Sequence, residues 1–323
     1  MLYLSEYLLG VLPKIPVIDI VMFIKEVQNK SVRYYRCLIL VLCALVLSAK
    51  SYANQEYTSP INIVHPGEHH EGDYTLELLA KALNAGGNKY QAVPLGHYPP
   101  RGRDFLMMEK NEGIDIMWGT ARADREARFL PIRLPIFRGL IGWRIPLVKQ
   151  EKIDLFKGVS TLEQLSRYRP GQHFRWTDTR ILKDNGINVF EVNNHGSIMG
   201  MLVADKFDYY PRAAIEIEGE YALSKDQGVV IDPHVLIIYP TAFYFYVRKD
   251  NQALAKNLTD GLEKLIQSGE MNQLFEKHFS NILNTLAIDN RNVIRLDNQY
   301  LPEKAPLDRP ELWLDPAALD AAQ

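Results

Sequence analysis

The sequence predicts an α/β fold made of two lobes with a cleft between them. Three observations predict it. Short β-branched runs alternate with amphipathic helical stretches, first over residues 60–120 and again over 159–211. The order strand, helix, strand, helix, strand implies parallel sheets covered by helices. A long aromatic strand and two further helices follow from 236 to 279 and close the pattern.

"PINIVHP" (60–66) is a β-branched run ending at a proline, so a strand. "DYTLELLAKALNAGG" (73–87) reads as a helix. Asp73 is a plausible cap, Leu76, Leu79 and Leu83 share a face, and Gly86-Gly87 stops it. "YQAVPLGH" is extended, "RDFLMMEKNEG" helical, and "IDIMWGT" (114–120) a buried strand. In "VSTLEQLSRY", Ser160 and Glu163 stand at capping-box spacing. "GQHFRWTD" is a strand and its exit loop, "RILKDNG" a helix ended by Gly186, and "INVFEV" a strand. "HGSIMGMLVADK" is a helix leading to the strand end "FDYYP". "LIIYPTAFYFYVRKD" (236–250) is strongly strand-like. The next helix, to Gly269, aligns Leu254, Leu258, Leu262 and Leu265, and "EMNQLFEKHF" is another helix. The Pro-rich end "LPEKAPLDRPELWLDP" reads as irregular.

With 323 residues, 47% hydrophobic and 24% charged, the chain can fill two cores. A net charge of -2 without a basic run points away from nucleic acid. Both cysteines, Cys37 and Cys43, lie in the apolar run "CLILVLCALVL" (37–47), behind Arg33 and Arg36. A basic flank, an apolar core and small residues at Ser51 and Ala53 predict a secretory signal cut after Ala53. The core is short of the roughly 20 residues of a membrane span. Residues 1–21 sit awkwardly before such a signal, and Met22 is the expected start. Residues 1–53 are therefore read as an extension plus signal peptide. They carry six Lys/Arg and three Asp/Glu, so the remainder has 31 basic and 36 acidic residues, net -5, and no cysteine. Disulfides and thiol catalysis are excluded for that remainder.

"KNEGIDIMWGTARADREARFLPIRLPI", "FDYYP" and "LAKNLTDGLEKLIQSGEMNQLFEKHF" resemble, in order and spacing, the bacterial extracellular solute-binding proteins related to polar amino-acid transport. The resemblance covers roughly residues 58–285. It implies a periplasmic-binding-protein-like fold with two crossovers. Residues 57–145 and 241–285 would form the first lobe, and 146–240 the second. The segment 286–323 is expected to pack on the first lobe. The resemblance implies a periplasmic monomer that closes over a small polar or anionic solute. A membrane permease or a membrane sensor would read it. No cofactor or metal is expected.

Two departures bear on the ligand. Arg125 lies near the place of the family's carboxylate-binding arginine, with Arg122 and Arg128 competing. The second-lobe aspartate that would hold an ammonium falls near 212 or 213, where Arg and Ala stand. An ammonium facing Arg212 would be repelled, which argues against a simple α-amino acid.

The candidate ligand-binding residues are Arg212, Arg125, Thr120, Trp118, Trp176, Tyr210, Asp178 and His65. Arg212 offers a bidentate fork to an oxyanion just past a strand end; the bland alternative is a surface pair with Glu216. Arg125 is an anion binder or pairs with Asp124 or Glu126. Trp118 and Trp176 are stacking walls or core. Asp178 could instead cap a helix. "HPGEHHEGD" (65–73) contains zinc-type ligands, but adjacent His69 and His70 diverge and no helical spacing joins them, so a polar loop is preferred. Two rivals to a binding protein are a dehydratase-like enzyme using Glu216, Asp178 or His65, and a domain that binds a partner protein without a ligand.

Overall fold

A computed structural model describes residues 60–67, 72–87, 89–96 and 103–316. The signal segment and His69-His70 lie outside the described residues. No helix among the described residues is long and apolar enough to cross a membrane.

The chain begins with β1 (Ile61–His65), α1 (Gly72–Ala85) and β2 (Tyr90–Pro94), with β1 and β2 parallel. Next come α2 (Asp104–Glu109), β3 (Ile116–Thr120), α3 (Ala123–Arg128) and β4 (Phe129–Ile132). The Asp115 N–H donates to the Val64 carbonyl and its carboxylate accepts from the Val64 N–H, both at 2.9 Å, which joins the ends of β1 and β3. The second group opens with β5 (Trp143–Lys149), α4 (Leu162–Leu165) and β6 (Gly171–His173). It continues through α5 (Thr177–Asp184), β7 (Phe190–Val192), α6 (Ile198–Val203), β8 (Tyr210–Ala213), α7 (Ile217–Ser224), β9 (Val229–Ile231) and β10 (Val235–Ile238). The chain then returns to the first group as β11 (Phe243–Arg248), which lies antiparallel between β3 and β4. The helices α8 (Gln252–Gln267) and α9 (Glu270–Thr285) follow. The second sheet runs β12–β10–β5–β8, where β12 is Asn292–Arg295, and β9 pairs with β5. The result is a two-lobed α/β fold with crossovers at 133–142 and 239–242.

The strand-like stretch 236–250 forms two strands, β10 and β11. Pro240 cannot donate to a ladder, and the break at 239–242 carries the chain between lobes. The capping box is one residue later than Ser160–Glu163. The Thr161 hydroxyl accepts from the Gln164 N–H, and the Gln164 side chain accepts from the Thr161 N–H, both at 3.2 Å. Ser160 stands one residue outside the helix.

The C-terminal segment departs from expectation most. It does not pack on the first lobe alone: β12 pairs in parallel with β10 of the second. "NVIRL" is a short β-branched run, and its edge position next to buried Val235–Ile238 supplies the ladder partners. Beyond Leu296 the chain crosses back, and Leu312 joins the core that contains Ile63 and Phe245.

α1 and α8 meet backbone to backbone. A Cβ on Gly261 would lie 1.9 Å from the Ala82 carbonyl oxygen. Gly261→Ala improves helix propensity by about 1 kcal/mol, but the overpacking costs about 1–3 kcal/mol. The expected outcome of a thermal melt is a lower Tm. An unchanged or higher Tm would show that the two helices separate freely.

Candidate functional site

The second lobe gathers charge and aromatic rings where β5 starts and β8 ends. Arg144 on β5 pairs in register with Ala213 on β8, and Ile145 with Arg212. Both arginines are buried, at 7% and 9% exposure. Arg144 Nη2 lies 2.5 Å from Asp178 at the start of α5, and Nη1 lies 3.9 Å from Glu216. The Tyr239 hydroxyl also donates to Asp178, and the Arg144 guanidinium lies 5.6 Å from the Tyr239 ring centre. Arg212 Nη2 lies 3.0 Å from Glu216 and 2.7 Å from Glu220. Its guanidinium rests 5.1 Å from the Trp176 ring centre and 5.3 Å from that of Tyr210. The Tyr210 hydroxyl is 3.3 Å from His195 Nε2. Cationic guanidinium beside an aromatic face is attracted by the ring quadrupole.

Burial alone would pull the Arg144 guanidinium down, but Asp178, Tyr239 and Glu216 together raise it above its ordinary value. Burial pushes the Tyr210 phenol up, against Arg212. Burial likewise raises Tyr239, with Arg144 opposing. Arg144 is therefore a fixed cation in this site. The Nε atoms of Arg144 and Arg212 are buried and have no hydrogen-bond partner among the described residues.

Arg212, Tyr210, Trp176 and Asp178, all chosen from sequence, come together here. The other four do not join them. His65 and Trp118 pair with each other at 6.0 Å in the first lobe. Trp118 packs edge-on against Phe245 in the main core, which is the bland reading of that tryptophan. His65 Nδ1 accepts from the Gly67 N–H at 3.1 Å, and burial lowers its pKa. Arg125 folds back under the sheet. It donates to the Thr120 carbonyl and stacks 4.3 Å from the Phe105 ring centre and 5.6 Å from that of Tyr246. Gly119 makes room, since a Cβ there would stand 2.5 Å from Arg125 Nη1. Burial lowers the Arg125 pKa, and Tyr246 opposes the shift. Its neighbours are thus a backbone carbonyl and two aromatic faces of the first lobe, and Asp124 pairs instead with Arg122.

Sequence reading missed Arg144, Tyr239 and His195. Arg144 had a signal: it is the one cation inside the apolar run "LIGWRIPLV". A charge inside a buried strand needs a partner.

A cavity of about 890 Å³ lies between the lobes. Arg122, Asp124, Glu126 and Arg133 line it from the first lobe, and Thr177 and Arg180 from the second. Residues 299–304 line a third side. α5 links this cavity to the cluster, because Thr177 and Arg180 face the cavity while neighbouring Asp178 holds Arg144.

No protein-family model and no curated protein matches the chain. Among solved structures it is similar to an ancestral arginine-binding protein bound to arginine, at 17% identity and TM-score 0.46, over 69% of this chain and all of that one. It is similar to a histidine kinase sensor domain with similarity to periplasmic binding proteins, at 13% identity and TM-score 0.46, over 70% of this chain and 98% of that one. It is also similar to the GluR0 ligand-binding core from Nostoc punctiforme in complex with L-glutamate, at 16% identity and TM-score 0.43, over 68% of this chain and 97% of that one. These are likenesses of fold between proteins of low sequence identity.

Proposed function

We propose that this chain is an exported solute-binding protein, a periplasmic monomer released after Ala53. Its lobes, 57–145 with 241–285 and 146–240, close over a small polar solute, and a membrane permease or sensor reads the closed form. The observation that carries this reading is the Arg144–Asp178–Glu216–Arg212–Glu220 network walled by Trp176 and Tyr210. A buried ion-pair network is weak evidence for stability, and binding sites place a few convergent polar groups among aromatic walls.

The charge balance refines the ligand. Two guanidiniums face three carboxylates, and each guanidinium already holds a carboxylate within 3.0 Å. A simple anion entering this cluster must displace Glu216 or Glu220. A solute with a positive or hydrogen-bond-donating group gains from the surplus carboxylate. The ligand of this cluster is therefore polar and donor-bearing, not purely anionic. The dehydratase-like rival needs Asp178, Glu216 or His65 to move protons; Asp178 and Glu216 are engaged as ion-pair partners of arginine, and His65 stands apart from them with its Nδ1 accepting from the Gly67 N–H. Structural use of these groups supports binding over turnover.

A thermal-shift screen with amino acids, di- and tricarboxylates, aromatic acids and phosphorylated metabolites tests the reading. A ligand at 100 times its Kd adds about 2.7 kcal/mol, on the order of 5–10 °C for a chain of this size. Arg212→Ala is expected to cut affinity for the responding ligand at least about tenfold. Arg212→Lys keeps the charge but loses the fork, and is expected to recover only part of that affinity. No response from any class would remove the solute-binding reading. Full affinity in both variants would remove Arg212 from the site.

A further inference from the structure

The C-terminal segment is pinned at both ends, to different lobes. At the start, Arg291 donates to the carbonyls of Leu286, Asp232 and Val235, and β12 joins the second sheet. Asn185 bonds Asp297 in both directions at 2.8 and 3.0 Å, and the Asn298 amide donates to the Pro240 carbonyl at 2.8 Å. At the far end, Arg309 makes two contacts to Glu263 of α8 at 2.6 and 3.0 Å. Trp313 covers Gly139, whose φ is +81°, so closely that a Cβ there would stand 2.8 Å from the ring. The Leu314 N–H donates to the Arg138 carbonyl at 2.8 Å. Between these anchors, residues 299–304 form the third side of the interlobe cavity.

The cavity's cations differ in how they are used. Arg122 is held by Asp124 at 2.9 Å and Arg133 by Glu126 at 2.6 Å. Arg180 and Lys304 have no carboxylate within 4 Å among the described residues. The Arg180 guanidinium lies 4.6 Å from the Tyr300 ring centre, and nearby Asp184 raises the pKa of the Tyr300 phenol. A guanidinium beside a ring and with no carboxylate on its fork can offer its N–H donors to a planar or tetrahedral oxyanion. Glu303 also lines the cavity, so the groups there without an ion pair are two cations and one anion.

We propose that residues 299–304 are a wall of the ligand site, in which Arg180 on Tyr300, together with Lys304, takes an oxyanion of the solute, a carboxylate or a phosphate. The inference rests on reading the interlobe cavity as the ligand site. It deepens that reading by naming an oxyanion as the group that the cavity takes.

The test uses the full chain and its Arg180→Ala and Lys304→Ala variants, titrated with succinate or with inorganic phosphate against sodium chloride of equal ionic strength. Both side chains are exposed, so the variants are expected to keep the wild-type Tm without oxyanion. At least one oxyanion should raise the wild-type Tm above the chloride control, and each variant should weaken its apparent affinity about tenfold. A response to succinate alone assigns a carboxylate, and one to phosphate alone a phosphate. No response beyond chloride, or equal affinity in all three proteins, overturns the proposal. Small-angle scattering separates the two readings. Oxyanion binding that depends on Arg180 and Lys304 without lobe closure keeps this site and removes the closing binding protein. Closure on a screened solute with affinity untouched in both variants does the reverse.

Discussion

Arg291→Ala is expected to lower the Tm by on the order of 10 °C. Removing one partner of a buried charge pair costs about 3–5 kcal/mol, and each kcal/mol is about 2–4 °C in a chain near this size. Arg291 is 8% exposed and Asp232 is fully buried. Arg291 Nε donates to the Leu286 carbonyl at 2.8 Å and Nη1 to that of Val235 at 3.2 Å. Asp232 Oδ2 accepts from the backbone N–H groups of His234 and Val235, 3.8 Å from Arg291 Nη1. Alanine therefore strands several acceptors and a carboxylate at once. The loss should also depend on pH. Burial raises the Asp232 pKa, while the Val235 and His234 amides and Arg291 oppose the rise. Without Arg291 it climbs further. An acid whose folded pKa exceeds its unfolded value takes up a proton on folding, so its cost appears as pH rises from the unfolded value through the folded one. The deficit of Arg291→Ala should thus be larger at pH 8 than at pH 5. A drop under about 2 °C, or a deficit that shrinks as pH rises, would show that Asp232 is not an uncompensated charge in the variant.

The elements that sequence revealed were those with strong local signals. The leucine stripe of α8 is buried as its spacing requires, with Leu254, Leu258, Leu262 and Leu265 in the core and Asn251 capping the helix. Tyr210, Arg212, Trp176 and Asp178 were readable because their stretches look like a strand end or a helix start; in the structure Tyr210 and Arg212 lie on β8, which pairs antiparallel with β5, and Trp176 and Asp178 stand at the start of α5. β5 was not readable. Its seven residues, "WRIPLVK", carry an arginine and a proline, and they pair only with strands that lie far along the chain. With β5 unseen, Arg144 had no place. β9 and β12 are three and four residues long and depend on partners for their existence. Arg125 went the other way. Spacing put it near a family position, but the missing Cβ of Gly119 and the faces of Phe105 and Tyr246 hold it in the first lobe. Neither influence is visible in a linear reading.

Arg144→Ala is expected to lose both stability and ligand response, by about 3 kcal/mol for the fold and at least about tenfold in affinity. The variant leaves Asp178 with the Tyr239 hydroxyl but no cation, and it strips Glu216 of one of its two guanidinium neighbours. A structural role alone would predict the stability loss without a specific effect on binding. Two further variants separate these. Arg144→Ala with Asp178→Asn removes the stranded carboxylate and should regain part of the stability, since contacting residues are coupled by about 0.5–3 kcal/mol. It should not regain affinity. Arg144→Lys keeps the charge without the planar fork and should sit between wild type and alanine in both readouts. The reason to expect coupling between site and motion lies at Tyr239. Its hydroxyl holds Asp178, while its N–H donates to the Gly142 carbonyl at 3.2 Å, and a Cβ on Gly142 would stand 2.1 Å from the Tyr239 carbonyl. Gly142 and Tyr239 belong to the two crossovers, and Arg144 lies two residues beyond the first of them. If the double variant recovers affinity along with stability, Arg144 is a scaffold residue and the solute is held by Arg212 and its rings alone.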